Sequence, residues 1–337
     1  MPFNRNNFIV DVVMVVYNQE EYISKAIESV LMQESEFGYK LIISDDCSTD
    51  QTFSICTEYH YKYPNIITLI NNHNNLGLAA NYYKAFKITS SKYIAFLEGD
   101  DYWVDKFKLQ KEIDILERNS EIGLVHTAFT VLYEDGTTRI VNKCKIKRKK
   151  LEGFLVKSLI KENTIAPLTV CFKRDLIINK IDFNLFVKNK YKTIDYALWL
   201  EIAANSKIYY INEITSVYRK LNSSVSNTSD PIKILQFYDT ALDVNNNFFI
   251  KYPQYSILKL KALNYVNISI INRFVFLNDF QIAKNLSIRL NNSTFKGIIL
   301  KALLKKLIFI KLFVLSNKII YNLKFKLSVL FSLFLSK

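Results

Sequence analysis

The feature that most limits what this chain can fold into is an alternation, from Phe8 to Thr130, of short β-branched apolar runs with amphipathic helical stretches. Phe8 to Val16 is almost continuous hydrocarbon, broken once by Asp11, as expected of a strand covered on both faces of a parallel sheet. Asn18 then stands as an N-cap with Glu21 three residues on, and Ile23, Ala26, Ile27, Val30 and Leu31 share one helical face. The unit repeats. Leu41 to Ser44 predicts a strand, Asp50 caps a helix from Gln51, and Ile66 to Ile70 is the next strand. A helix over Ala79 to Ile88, a strand over Tyr93 to Leu97, a helix over Lys106 to Arg118 and a strand over Gly123 to Thr130 follow. This rhythm predicts an α/β protein with an open parallel sheet and helices on both faces.

Beyond Thr130 the rhythm breaks at the hairpin-like YEDGTTR and the basic run Lys143 to Lys150. Leu151 to Tyr218 mixes helices with short strands, Asn222 to Asp230 reads as a loop, and from Pro231 onward the pattern is helical. The net charge of +14 is unevenly placed: from Phe280 to the end there are eleven basic residues and no acid, leaving about +3 for the first 279. The tail, 296–337, is built almost entirely of Leu, Ile, Phe and Lys, a composition suited to the headgroup region of an anionic membrane surface. The four cysteines form no CxxC pair, and Cys47, Cys56 and His60 match no zinc spacing, so a reducing, cytoplasmic setting is expected. The N-terminal run reads as a strand, not a signal peptide, and no stretch has the roughly 18 uncharged apolar residues of a membrane span. Twenty-one Tyr and 24 Phe without an RNA-binding aromatic motif point to core filling, and no nucleic-acid partner is expected.

Ligands of open α/β sheets bind beyond the carboxyl ends of the strands, and here two strand ends carry paired aspartates. One is Asp45-Asp46-Cys47-Ser48-Thr49-Asp50; the other is Glu98-Gly99-Asp100-Asp101-Tyr102-Trp103. Either alone is an ordinary turn or cap. Two on one edge crowd negative charge that a cation or hydrogen-bond donors must relieve, which suggests a polar ligand with Mg²⁺ or Mn²⁺ bound through the carboxylates and substrate phosphates.

Four segments in order, VVMVVYNQEEYISKAIESVLMQ, LIISDDCSTDQT, NNLGLAANYYKAF and KYIAFLEGDDYWVDKFKLQKEIDIL, resemble the family 2 glycosyltransferases, in the bacterial surface-polysaccharide type. The resemblance runs from about Phe8 to Ser226 and implies a GT-A fold, a Rossmann-like open mixed sheet, with a helical C-terminal extension. It implies a catalytic domain over 1–226, with a nucleotide-sugar-binding half to 130 and an acceptor-side half from 131, then a helical region over 227–337. By the same resemblance Val16, Tyr17, Asn18, Asp45, Asp46, Ser48 and Asn81 hold the nucleotide sugar, with Asp45 or Asp46 reading the base. Asp100 faces the ribose and sugar and Asp101 binds Mn²⁺ or Mg²⁺. Asp195, at a helix start, is the base that takes the acceptor proton in a single inverting displacement, with Glu201 as its competitor. Tyr218-Arg219 with Ser223, Ser224 and Ser226 resembles a loop near the diphosphate, while Ala80 stands where many relatives carry arginine. The implied partners are a nucleotide-sugar donor, a lipid-linked glycan acceptor and the inner face of the cytoplasmic membrane, to which the protein would bind peripherally. A nucleotidyltransferase is the nearest rival, but YNQEEY lacks the glycines of a phosphate loop. The other rival is a non-enzymatic membrane scaffold. His126, inside GLVHTAF, is expected to be a core residue.

Overall fold

The computed structural model describes residues 8–141, 151–221 and 228–291. Its contacts divide the chain into two compact units, Met1–Tyr252 and Pro253–Lys337. In the first unit the alternation becomes β1 (Phe8–Val16), α1 (Ile23–Leu31), β2 (Gly38–Asp45), α2 (Thr52–Lys62), β3 (Ile67–Asn71), α3 (Leu78–Ile88), β4 (Tyr93–Phe96), β5 (Tyr102–Trp103), α4 (Lys108–Arg118) and β6 (Ile122–Tyr133). Then come β7 (Thr138–Val141), α5 (Val156–Leu159), β8 (Val170–Lys173), α6 (Phe183–Lys188), α7 (Asp195–Asn205), β9 (Lys207–Lys220) and α8 (Pro231–Lys251).

The strands form one mixed sheet in the order β3-β2-β1-β4-β8-β6-β9-β5, with β7 folded back on β6. The β3-β2-β1-β4 part is parallel. Next, β8 runs antiparallel to both β4 and β6, while the long β9 is parallel to β6. Seven consecutive residues of β1, Val10 to Val16, are buried, which accounts for the unalternating apolar run. The one acid in that run has a purpose. Asp11 accepts from the backbone N–H groups of Ser90 and Ser91 at 2.7 and 2.8 Å and from the Ser91 hydroxyl at 2.8 Å, fastening β1 to the turn that enters β4.

Helix starts follow the sequence in part. Asp50 Oδ1 accepts from the Thr52 N–H at 2.9 Å just ahead of α2, but the N-cap position itself is held by Gln51, whose side chain makes no capping bond. Asn18 does not cap α1: it takes a left-handed conformation (φ 51°), its side chain accepts from the Thr49 N–H, and α1 begins only at Ile23, behind Tyr22. Asparagine suits both positions, and here the turn won. The expected hairpin at YEDGTTR is present, with Gly136 at φ 80°. Within the first unit α8 opens at Asp230, whose carboxylate accepts from the Ile232 N–H at 2.8 Å. The second unit contains α9 (Lys259–Phe276) and α10 (Phe280–Leu286), the latter capped by Asp279. The basic run 143–150, most of the Asn222 to Asp230 loop and the tail 296–337 lie outside the described residues. No helix among the described residues is long and apolar enough to cross a membrane.

Candidate active site

The ends of β1 and β2 build one wall. The Val16 side chain is buried in the core, and its carbonyl accepts from the Asp46 N–H at 2.9 Å, closing the two strand ends together. Asn18 then crosses to the loop after β2: its N–H donates to Ser48 Oγ at 3.0 Å and its Oδ1 accepts from Thr49 N–H at 2.8 Å. Asp45 accepts from both the N–H (2.9 Å) and the hydroxyl (2.6 Å) of Ser48. Asp46 accepts from the N–H groups of Leu76 (2.8 Å) and Gly77 (2.9 Å), which anchors the approach to α3. Tyr17 stands at the rim, 45% exposed. Asn81 lies behind these groups and is buried. Its Oδ1 accepts from Ser44 Oγ at 2.5 Å and Asn72 Nδ2 at 3.0 Å, and its Nδ2 donates to the Ser44 carbonyl at 2.9 Å. Its polar atoms face inward, so the structure gives it the work of holding the end of β2.

The second wall follows β4. Gly99 is enforced by space: a Cβ there would lie 2.4 Å from Gln19 Oε1 and 2.6 Å from Val16 Cγ1. That close approach lets Glu98, Asp100 and Asp101 turn their carboxylates together, with one oxygen from each within 4.8 Å of the others. Among the described residues it is the one such cluster of three His, Cys, Asp or Glu. Asp101 is fully buried; its Oδ1 accepts from the Arg219 N–H at 2.7 Å, and its Oδ2 has no hydrogen-bond partner. Arg219 also donates from Nη1 to the Asp100 carbonyl at 2.6 Å. Its guanidinium lies over the rings of Tyr22 and Tyr102, at 5.0 and 4.6 Å. The Tyr82 hydroxyl donates to Glu98 Oε1 at 3.2 Å.

Burial, then the charges of Asp100 and Asp195, push the Glu98 carboxyl up to about 8. Burial, followed by Asp100 and Glu98, holds Asp101 well above the ordinary carboxylate range, and burial also raises Asp100 against the pull of Arg219. Three converging carboxylates, Asp101 fully buried with one orphaned oxygen and Glu98 and Asp100 partly buried, are costly unless a cation joins them. The donor set is all oxygen, which suits Mg²⁺ or Mn²⁺ rather than a thiolate-seeking metal, and the residues fit such an ion.

Asp195 opens α7 from the third side. Ile194 holds the N-cap position, and the Asp195 carboxylate accepts from the Thr193 hydroxyl and from Asn163 Nδ2, the latter at 2.7 Å. Burial raises it, while the bonds from Thr193, the Tyr196 backbone and Asn163 lower it. Its charge reaches both Glu98 and Tyr82. Glu201 points elsewhere: Lys251 Nζ (2.8 Å), Tyr252 Oη (2.5 Å) and Asn205 hold it against α8. His126 is a buried core residue, with Nε2 2.8 Å from the Leu151 carbonyl. His60 contacts the Ile67 carbonyl at 2.8 Å and Cys56 packs in the core.

The strand ends thus bring together Asn18, Asp45, Asp46 and Ser48 on one wall and Asp100 and Asp101 on the other, with Asp195 within electrostatic reach. Glu98 is an added member, readable in principle because it follows the same strand, β4. Arg219 reaches the acidic cluster from a position 118 residues away. Tyr82 and Asn163 carried no sequence signal. Ser223, Ser224 and Ser226 lie outside the described residues.

Residues 11–171 match the model of glycosyl transferase family 2. A β-1,3-glucosyltransferase of Escherichia coli, WfgD, named for its donor UDP-Glc and its acceptor α-D-GlcNAc-diphosphoundecaprenol, is 31% identical over 225 residues, 66% of this chain and 81% of its own. The chain belongs to glycosyl transferase family 2. An uncharacterised protein of Mycobacterium tuberculosis is 33% identical over 209 residues, 62% of this chain, and the match spans 58% of that relative's length. Among solved structures, a mannosyltransferase of Pyrobaculum calidifontis in complex with GDP-Man and Mn²⁺ superposes with a TM-score of 0.54 at 13% identity, covering 90% of this chain and 82% of its own. At that identity the likeness establishes the family member's fold, the open mixed GT-A sheet with a helical C-terminal region.

Proposed function

We propose that the chain moves a sugar from a nucleotide diphosphate sugar to a hydroxyl of a lipid-linked glycan acceptor, with inversion, in the synthesis of a bacterial surface polysaccharide. The observation that carries this reading is the convergence of Glu98, Asp100 and Asp101, one buried Asp101 oxygen without a partner, beside the half-buried carboxylate Asp195. Tyr17, Asn18, Asp45, Asp46 and Ser48 form the nucleotide wall, with Val16 and Asn81 supporting it. Asp101, with Glu98 and Asp100, would hold Mn²⁺ or Mg²⁺, which when bound neutralises charge on the diphosphate leaving group. Asp100 faces the ribose and donor sugar, and the Arg219 guanidinium lies close enough to favour developing negative charge.

Asp195 accepts the proton of the acceptor hydroxyl. The acceptor oxygen forms its bond to the anomeric carbon as the bond from that carbon to the diphosphate breaks, and the electron pair leaves with the nucleoside diphosphate. One displacement inverts the centre, so one base suffices. The membrane-linked acceptor in the name of the E. coli relative, together with the acid-free basic tail, supports a peripheral position on the anionic inner face of the cytoplasmic membrane. Calorimetry of UDP and GDP binding with and without Mn²⁺ tests the site: Asp101→Ala should abolish the Mn²⁺-dependent part and sugar transfer together. Unchanged Mn²⁺-dependent binding in that variant overturns the assignment.

A further inference from the structure

Between α5 and β8 the chain runs as a strap, 163–169, with polar contacts to Asp195, Trp199, Trp103 and Ser216. Asn163 is oriented by its own backbone, since its Oδ1 accepts from the Ile165 N–H at 3.3 Å. That leaves Nδ2 to donate to Asp195 Oδ2 at 2.7 Å, while the Thr193 hydroxyl holds Oδ1. One helical turn beyond Asp195, on the same face of α7, Trp199 Nε1 donates to the Ile165 carbonyl at 3.2 Å. Positions 195 and 199 of the helix are therefore matched to 163 and 165 of the strap. Farther along, the Leu168 carbonyl accepts from Trp103 Nε1 at 2.9 Å and from Ser216 Oγ at 3.1 Å. Trp103 lies two residues past Asp101, and Ser216 three residues before Arg219. Ile165, Leu168 and Thr169 are buried, so the strap has little freedom to shift.

We infer that Asn163 is a positioning residue for the acceptor-activating carboxylate, and that the 163–169 strap sets the separation between Asp195 and the acidic cluster. The inference rests on the reading of Asp195 as the base. Thr193 and the Tyr196 backbone hold the Asp195 carboxylate from its own segment, Asn163 adds a donor from a separate one, and a base must be held near its productive geometry to act efficiently. An aspartate at 163 could still accept from Ile165, but it would offer Asp195 no donor and would place a like charge beside it.

The test compares wild type, Asn163→Ala, Asn163→Asp, Asp195→Asn and the double variant Asn163→Ala/Asp195→Asn. Nucleoside diphosphate release is followed from UDP-glucose, UDP-N-acetylglucosamine or GDP-mannose with Mn²⁺. Loss of one charge-assisted hydrogen bond should lower kcat by about tenfold in Asn163→Ala, and Asn163→Asp should lose on the order of 100-fold. Affinity for UDP or GDP with Mn²⁺ should stay within about twofold of wild type, because no nucleotide contact is touched. In the Asp195→Asn background the Asn163→Ala change should cost nothing further in kcat, whereas a general weakening of the fold would lower it in both backgrounds. A thermal-denaturation cycle on the four proteins related by Asn163→Ala and Asp195→Asn reads the coupling of the two side chains without turnover. If Asp195→Asn keeps near-normal turnover, the base assignment falls. If Asp195→Asn collapses turnover while Asn163→Ala leaves kcat unchanged or acts equally in both backgrounds, or if the thermal cycle shows no coupling, the strap inference falls alone.

Discussion

Binding of Mn²⁺ should be linked to pH, because burial first, and for Glu98 and Asp101 the neighbouring charges after it, raises the three carboxyls that would receive it above the ordinary carboxylate range. Glu98 rises from 4.5 to about 8, through burial first and then the charges of Asp100 and Asp195. Asp101 is displaced in the same direction. At about 1.36 kcal/mol per unit, ionising Glu98 in the metal-free fold costs at most about 5 kcal/mol. The sign follows from the raised value: this contribution to stability is fully present below pH 4.5 and is lost as pH rises through about 8. A divalent ion reverses the balance, since it binds the ionised forms and must displace whatever protons remain. Below pH 8 each displaced proton makes the apparent affinity rise about tenfold per pH unit. Calorimetry at pH 6 and 7, in two buffers of different ionisation enthalpy, counts the protons released. At least one proton per Mn²⁺ is expected at pH 7, and the Mn²⁺-induced rise in Tm should grow from pH 6 to pH 8. An affinity that does not change over that range, with no proton release, would refute the reasoning.

Three further outcomes test other parts of the structure. Gly99→Ala places a methyl group 2.4 Å from Gln19 Oε1 and 2.6 Å from Val16 Cγ1, so it should destabilise the fold by about 1–3 kcal/mol in urea and weaken Mn²⁺-dependent nucleotide binding; a silent variant would contradict that packing. Glu201→Gln should lower stability by about 1–3 kcal/mol through its bonds to Lys251 and Tyr252 while leaving kcat within a few-fold, and a kcat collapse would return it to contention as the base. The 337-residue chain should sediment with anionic liposomes and be partly released by high salt, whereas a chain ending near Ser293 should not; equal partitioning would exclude the tail as the membrane contact.

The part of the fold that could be read in advance is the part encoded locally. Buried strands announce themselves as runs such as VVMVV, and the helices between them carry their own period, so β1 through β4 fell within a few residues of expectation. The placement of β8 between β4 and β6 was not readable, because VCFK is a short apolar run whose neighbours are chosen by packing rather than pattern. At the site, Asp45, Asp46, Asp100 and Asp101 were marked by their positions after strands, and the structure brings each pair to the same edge. Asn18 was misread because its side chain serves a left-handed turn as readily as a helix start. Arg219 was singled out only by the resemblance of Tyr218-Arg219 to a loop near the diphosphate, which did not foretell its bond to Asp101, and nothing local distinguishes Asn163.

The bond from the Arg219 N–H to Asp101 Oδ1 also imposes an order in time. Asp101 is synthesised 118 residues before the group that fixes its carboxylate, and β9, which delivers that group, is the last strand of the sheet. A nascent chain that has just completed β6 carries every acidic residue of the cluster but not the N–H that orients Asp101. It also lacks Asp195, still unmade on the ribosome. On the proposed roles, cation site and base become complete only after nearly the whole first unit has emerged.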